Sequence, residues 1–98
     1  MPVLIIGEQP SLTEEGYLKL FGSVEPHFRS AAGFIAHSGG PHPDGGWRVI
    51  ELWETEADAQ AFFEAHVMPN VPPGIVPQRT AYPHCRAVAG DVAISPAP

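Results

Sequence analysis

The sequence predicts a ferredoxin-like α+β fold: a four-stranded antiparallel sheet of βαββαβ order with two helices on one face. Three observations predict it. Val3-Leu4-Ile5-Ile6 leads through Ser11-Leu12-Thr13-Glu14-Glu15 into an apolar-periodic segment, and Trp47-Arg48-Val49-Ile50-Glu51-Leu52-Trp53 leads through Thr55-Glu56 into another. Each copy is followed by one more strand-like run. Between the halves lies a dense turn signal, Gly39-Gly40-Pro41-His42-Pro43-Asp44-Gly45-Gly46. Residues 1–90 form one domain, with residues 91–98 as a loose C-terminal tail.

Residues 2–7 are continuously apolar and rich in β-branched side chains, as a central strand buried on both faces requires. Ser11 or Thr13 can cap the following helix, and Ser11 with Glu14 has the spacing of a capping box. Tyr17, Leu20, Phe21, Val24 and Phe28 then recur at helical spacing, until Pro26 ends or kinks the helix near residue 25. Residues 33–38 read as a second strand and 47–53 as a third, joined as an antiparallel hairpin with a long loop. Thr55 caps the second helix, whose stripe is Ala59, Phe62, Phe63, His66 and Val67. Four prolines make residues 69–78 irregular, and residues 79–89 form the last strand, at an edge because it contains Pro83.

Right-handed crossovers place both helices on one face of the sheet, leaving the other for something outside the chain. Strand alternation divides the side chains. Ile50, Leu52, Phe34 and Ala36 are expected under the helices. Ile35, His37, Val49, Glu51, Trp53, Tyr82 and His84 are expected on the uncovered face. A slip of one residue in a strand reverses its assignment.

The chain has 98 residues, one cysteine, 44% hydrophobic and 16% charged residues, and a net charge of −6. That length makes one domain small enough for association to complete its core. Five scattered Lys and Arg in an acidic chain argue against nucleic acid as a partner. Cys85 alone excludes an internal disulfide framework and fits a reducing compartment. The short N-terminal apolar run is neither a signal peptide nor a membrane span. A cytoplasmic protein with no membrane partner is the expectation.

Gly46-Trp47-Arg48-Val49-Ile50-Glu51-Leu52-Trp53-Glu54 before Thr55-Glu56-Ala57, with the aromatic helix stripes and the element order, resembles the dimeric α+β barrel superfamily. The likeness is to its antibiotic biosynthesis monooxygenase type, over residues 2–89, and Glu51-x-Trp53 before an acidic helix start is its most specific piece. The resemblance implies a homodimer with facing sheets and an enclosed pocket. It implies activities ranging from cofactor-free oxygenases of aromatic polyketides, cyclases and isomerases to haem degradation and plain binding. The haem-degrading branch uses an Asn, a Trp and a His where this chain has Gly7, Phe62 and Pro72, so haem degradation is not expected.

The five histidines form no His-x-His and lack acidic neighbours at metal-motif spacing, so no metal site is expected. His42 belongs to the exposed loop and His27 to a helix end. His66 lies on the apolar stripe, as a core or pocket-edge residue. His37 and His84 differ, because each lies in a strand expected to line the uncovered face. With Glu51 they can supply a base, an acid and an orienting carboxylate, or bond across a dimer seam as structural groups. An unpaired buried Glu51 has its pKa raised, and Arg86 or a histidine can pair with it. Trp53 and Tyr82 can stack on a planar ligand or form dimer core. Cys85 lacks the surroundings of a nucleophile.

The expected catalytic residues are therefore His37, His84 and Glu51, with Trp53, Tyr82, Arg86 and His66 for the substrate. The expected function is a homodimeric, cofactor-independent enzyme that binds a small apolar or aromatic, polyketide-like ligand. It would work as an acid/base-driven cyclase, isomerase or monooxygenase. The alternative is a non-catalytic dimeric ligand-binding or stress-related module.

Overall fold

The computed structural model describes residues 2–88. Its elements are β1 (Val3–Gln9), α1 (Glu14–Phe28), β2 (Phe34–Pro41), β3 (Trp47–Trp53), α2 (Glu56–Phe62), a π-turn (Phe63–Val67), a 3-10 turn (Met68–Asn70) and β4 (Gln78–Tyr82). The sheet is antiparallel with order β2-β3-β1-β4. This is the ferredoxin-like α+β arrangement. The expected tail at residues 91–98 lies outside the described residues.

Thr13 is the cap that forms, its Oγ1 accepting from the Gly16 amide at 3.0 Å. Thr55 does the same for α2, accepting from the Asp58 amide at 3.0 Å. α1 runs through Pro26 to Phe28 rather than stopping near residue 25. The proline costs one backbone hydrogen bond, but the next turn carries Phe28 into the core, where its ring stacks on Phe34 and Phe62. β4 stops at Tyr82, short of the expected span, because Pro83 has no amide to donate and His84 turns away with φ 61°. The strand is an edge, as Pro83 predicts. His42 is half-buried rather than free in its loop, with Nε2 3.3 Å from Glu8 Oε2.

Phe34 lies under the helices and Tyr82 on the bare face as expected, but for β3, and for Ala36 and His37 of β2, the uncovered face is the opposite of the one expected from alternation. Val3, Ile5, Gly7 and Gln9 of β1 and Trp47, Val49, Glu51 and Trp53 of β3 are all buried. Val3, Ile5 and Trp53 pack with Val24 and Phe28 of α1 and Ala59 and Phe62 of α2. Ile50 and Tyr82 are exposed by 41% and 49%, and with Leu4, Ile6 and Leu52 they belong to the bare face. Two local causes account for the reversal. Ile35 is a bulge, so Phe34 opposes Trp53 while Ala36 opposes Leu52, and Phe34 and His37 share the helix side despite their odd spacing. Glu51 also enters the covered layer, because it finds there the partners a buried carboxylate needs.

The second helix widens into its π-turn at Phe63, where sequence periodicity predicts a continuous α-helix. Phe62 and Phe63 both face inward, as their spacing from Ala59 predicts. Phe63 thereby lies under the Arg79 guanidinium, 4.2 Å from carbon to ring centroid.

Candidate active site

Glu51, at the middle of β3, sits opposite Ile5 of β1 and His37 of β2. Its side chain is 5% exposed. Oε2 accepts from His37 Nδ1 at 3.0 Å, and Oε1 accepts from Trp53 Nε1 at 3.1 Å and Arg79 Nη2 at 3.2 Å. His37 Nε2 lies 2.9 Å from the Tyr17 hydroxyl on α1. The result is one hydrogen-bonded relay joining β4, β3, β2 and α1.

The protons follow from the chemistry of the ends. Burial pushes the Glu51 pKa up, but the His37 hydrogen bond, the Arg79 charge and the Trp53 hydrogen bond outweigh it, so the pKa falls below its usual value. The carboxylate is ionised and can only accept. His37 therefore carries its proton on Nδ1, and in the neutral ring Nε2 is the acceptor for the Tyr17 O–H. Burial, helped by the nearby Glu51 charge, pushes the Tyr17 phenol up to about 12, so Tyr17 is a neutral donor near pH 7.

That shift has a pH consequence. The folded state keeps the phenolic proton longer than the unfolded chain, whose tyrosine ionises near 10.0, so this stability contribution is lost as pH rises from 10.0 towards about 12. Tyr17→Phe is expected to show a shallower loss of melting temperature over that interval.

Neighbouring glycines make room for the relay and its surroundings. A Cβ on Gly7 would press on Val49 Cγ2 at 2.9 Å, while Arg79 Nη1 at 3.7 Å would be in ordinary contact, so this glycine makes room for the Val49 side chain of the cavity wall. A Cβ on Gly39 would collide with the Tyr17 hydroxyl and approach Trp47 Nε1 to 3.1 Å, whereas one on Gly40 would meet nothing. Gly39→Ala is accordingly expected to break the Tyr17–His37 bond and lower any activity at least ten-fold, with Gly40→Ala close to wild type. Imidazole proton NMR of the two variants would show which one disturbs His37.

A small cavity of about 30 Å³ adjoins the relay, lined on its polar side by Gln9, Tyr17, His37, Glu51 and Arg79. Its apolar wall is built by Leu20, Phe21, Val24 and Phe28 of α1 with Val49 and Val67. A benzene-sized guest takes a cavity of roughly 150 Å³, so a ring can enter only if α1 and the π-turn part. A broader surface groove of about 410 Å³ lies beyond Trp47, between Pro10, Thr13 and Pro41. No member of the relay lines it, so the chemistry belongs to the smaller site.

Of the residues singled out from sequence, His37 and Glu51 come together directly. Trp53, expected to stack on a substrate, is fully enclosed (0% exposed) and serves instead as a hydrogen-bond donor to Glu51. His66 is half-buried, its ring 4.1 Å from that of His27 and apart from the relay. His84 and Arg86 follow β4 in exposed chain, and Tyr82 lies opposite Leu4 on the bare sheet face. Tyr17 and Arg79 were not anticipated. Tyr17 was one of a helical stripe of apolar rings, and the only signal for Arg79 was a glycine opposite it in register. Among the described residues no cluster of three or more His, Cys, Asp or Glu is placed to hold a metal ion. No helix among them is long and apolar enough to cross a membrane.

No family model and no curated protein matches the chain. Solved structures do. SnoaB, a cofactor-independent oxygenase from Streptomyces nogalater, superposes with a TM-score of 0.67 at 10% identity, covering 91% of this chain and 98% of SnoaB. The Mycobacterium tuberculosis protein Rv0793 gives 0.57 at 16% identity over 90% of this chain and all of its own. A dimeric ferredoxin-like protein of unknown function from Jannaschia sp. CCS1 gives 0.54 at 10% identity over 82% and 98%. The chain shares the ferredoxin-like fold of these proteins. Identities this low speak for the fold alone.

Proposed function

We propose that this protein is a cofactor-independent enzyme performing acid–base chemistry on a small, largely apolar or aromatic molecule of polyketide type. The observation that carries the reading is the relay of Glu51, His37 and Tyr17 beside an apolar cavity. His37 Nε2 is the base. Glu51, held by Arg79 and Trp53, orients the imidazole and stabilises the imidazolium that forms. Tyr17 turns its O–H from Nε2 to the oxyanion developing on the substrate, and its high pKa keeps that proton available.

The carbanion so formed has two fates. It can attack a carbonyl of the same molecule, with the proton returned from His37, which is cyclisation. Alternatively it can transfer its electrons to dioxygen, the oxidant, and form a carbon–oxygen bond. Loss of water from the resulting hydroperoxide leaves a ketone. The likeness to SnoaB, a cofactor-independent oxygenase, supports the second. Incubation with anthrone in air tests it: anthraquinone forming with oxygen uptake faster than without protein is the expected result.

A non-catalytic dimeric ligand-binding or stress-related module is the second reading, favoured by relay side chains that already bond to one another. His84, Arg86, Tyr82 and His66 would then contribute to neither reading from within the relay. A cytoplasmic location accords with both.

The working unit is proposed to be a homodimer joined through the bare sheet face. Leu4, Ile6, Ile50, Leu52 and Tyr82 make that face too apolar to leave in water, and the dimeric Jannaschia protein shares the fold. Ile50→Lys, at the centre of the face, is expected to sediment as a monomer at concentrations where the wild type is a dimer.

A further inference from the structure

Gln9, at the end of β1, is the group the relay leaves unexplained. It is 4% exposed and lines the same cavity as His37 and Tyr17, yet its Oε1 is buried with no hydrogen-bond partner among the described residues. A buried polar atom in that condition is destabilising, and an apolar residue of similar size would avoid the cost. Gln9 opposes Trp47 in the sheet and shares its cavity with Tyr17 and Val49; the Trp47 Nε1–H is likewise buried, and the two groups are not hydrogen-bonded to one another. Such an uncompensated group beside a candidate site is typical of residues kept for binding rather than stability.

We infer that Gln9 is a ligand-binding residue, and that the ligand presents a phenolic or enolic hydroxyl to it within an otherwise apolar skeleton. This rests on the proposed acid–base reading and adds the substrate class to it. A hydroxyl satisfies either end of the amide, since it donates to the carbonyl oxygen and accepts from the NH₂. Once α1 and the π-turn part, the apolar wall of Leu20, Phe21, Val24 and Val67 takes the skeleton. A hydroxyl held by Gln9 sets the acidic C–H or O–H of the same ligand towards His37, across one small cavity. A methyl in place of the hydroxyl would leave Gln9 orphaned, and sites of that kind reject the methyl analogue.

Phenol and toluene, which differ only in hydroxyl against methyl, test this on the intact protein by calorimetry or NMR titration. Wild type is expected to bind phenol at least ten-fold more tightly than toluene. Gln9→Leu is expected to melt at the same or a higher temperature and to lose that preference. Equal binding of the two by wild type, an unchanged preference in Gln9→Leu, or a lowered melting temperature would overturn the assignment; the last two results mean that Gln9 holds a structural water only. His37→Gln separates the two readings. If it and the wild type alike bind phenol selectively while neither turns over anthrone, the Gln9 subsite stands and the acid–base reading falls. If wild type turns over anthrone while Gln9→Leu keeps the phenol preference, the subsite alone falls.

Discussion

His37→Gln is expected to lower turnover of a carbon acid by about 10²–10⁴-fold, the usual contribution of a positioned general base, with little change in melting temperature. Glutamine keeps a donor near Glu51 and an acceptor near Tyr17, so the two hydrogen bonds at 3.0 and 2.9 Å have replacements. What it cannot do is take a proton. A steady-state assay beside a thermal melt checks both halves. Loss of activity with an intact melt assigns the chemistry to the imidazole, and an unchanged rate would leave the relay as scaffold.

Glu51→Ala is expected to have the largest effect on stability. It strips the Arg79 guanidinium, the His37 Nδ1–H and the Trp53 Nε1–H of their shared acceptor at one stroke. Breaking one side of a buried ion pair costs about 3–5 kcal/mol, a large share of the ~5–15 kcal/mol that stabilises a domain. For a domain of this size the melting temperature should fall by more than ~12 °C. The pH profile gives an independent check. The folded state holds Glu51 ionised more readily than the unfolded chain does, so its contribution is complete above about 4.5 and is lost as pH falls below that. Wild type should therefore lose stability on acidification below 4.5 more steeply than Glu51→Ala.

Much of the architecture is legible in the sequence because its signals are local. Residues 47–53 are bounded by Gly46 and Thr55, and β3 forms over that span. Thr55 caps α2 as its spacing predicts. The shared side of His37 and Glu51 is legible as well, although for His37 this depends on pairing rather than on counting. Alternation from Phe34 places His37 on the other face, and the bulge at Ile35 corrects it. Which face the helices cover was not legible, because each face of β3 carries large apolar residues and one charge, Glu51 on one and Arg48 on the other. A carboxylate reads as solvent-seeking until its three donors are known, and Arg79 lies 28 residues away. Tyr17 was hidden by its own periodicity: a phenol in a stripe of rings looks like packing until its hydroxyl is found at an imidazole. The π-turn at Phe63 carries no sequence signal that distinguishes it from ordinary helix.

Deprotonation by His37 is the central claim, and it can be observed apart from any later fate of the carbanion. Anthrone in deuterated buffer, with oxygen excluded, exchanges its acidic C–H only as fast as a base removes it, and NMR follows the loss of that signal. Wild type is expected to accelerate the exchange well beyond the buffer rate and His37→Gln to return it to that rate. Exchange no faster with wild type than with buffer, or equally fast with His37→Gln, would contradict the assignment of His37 as the base.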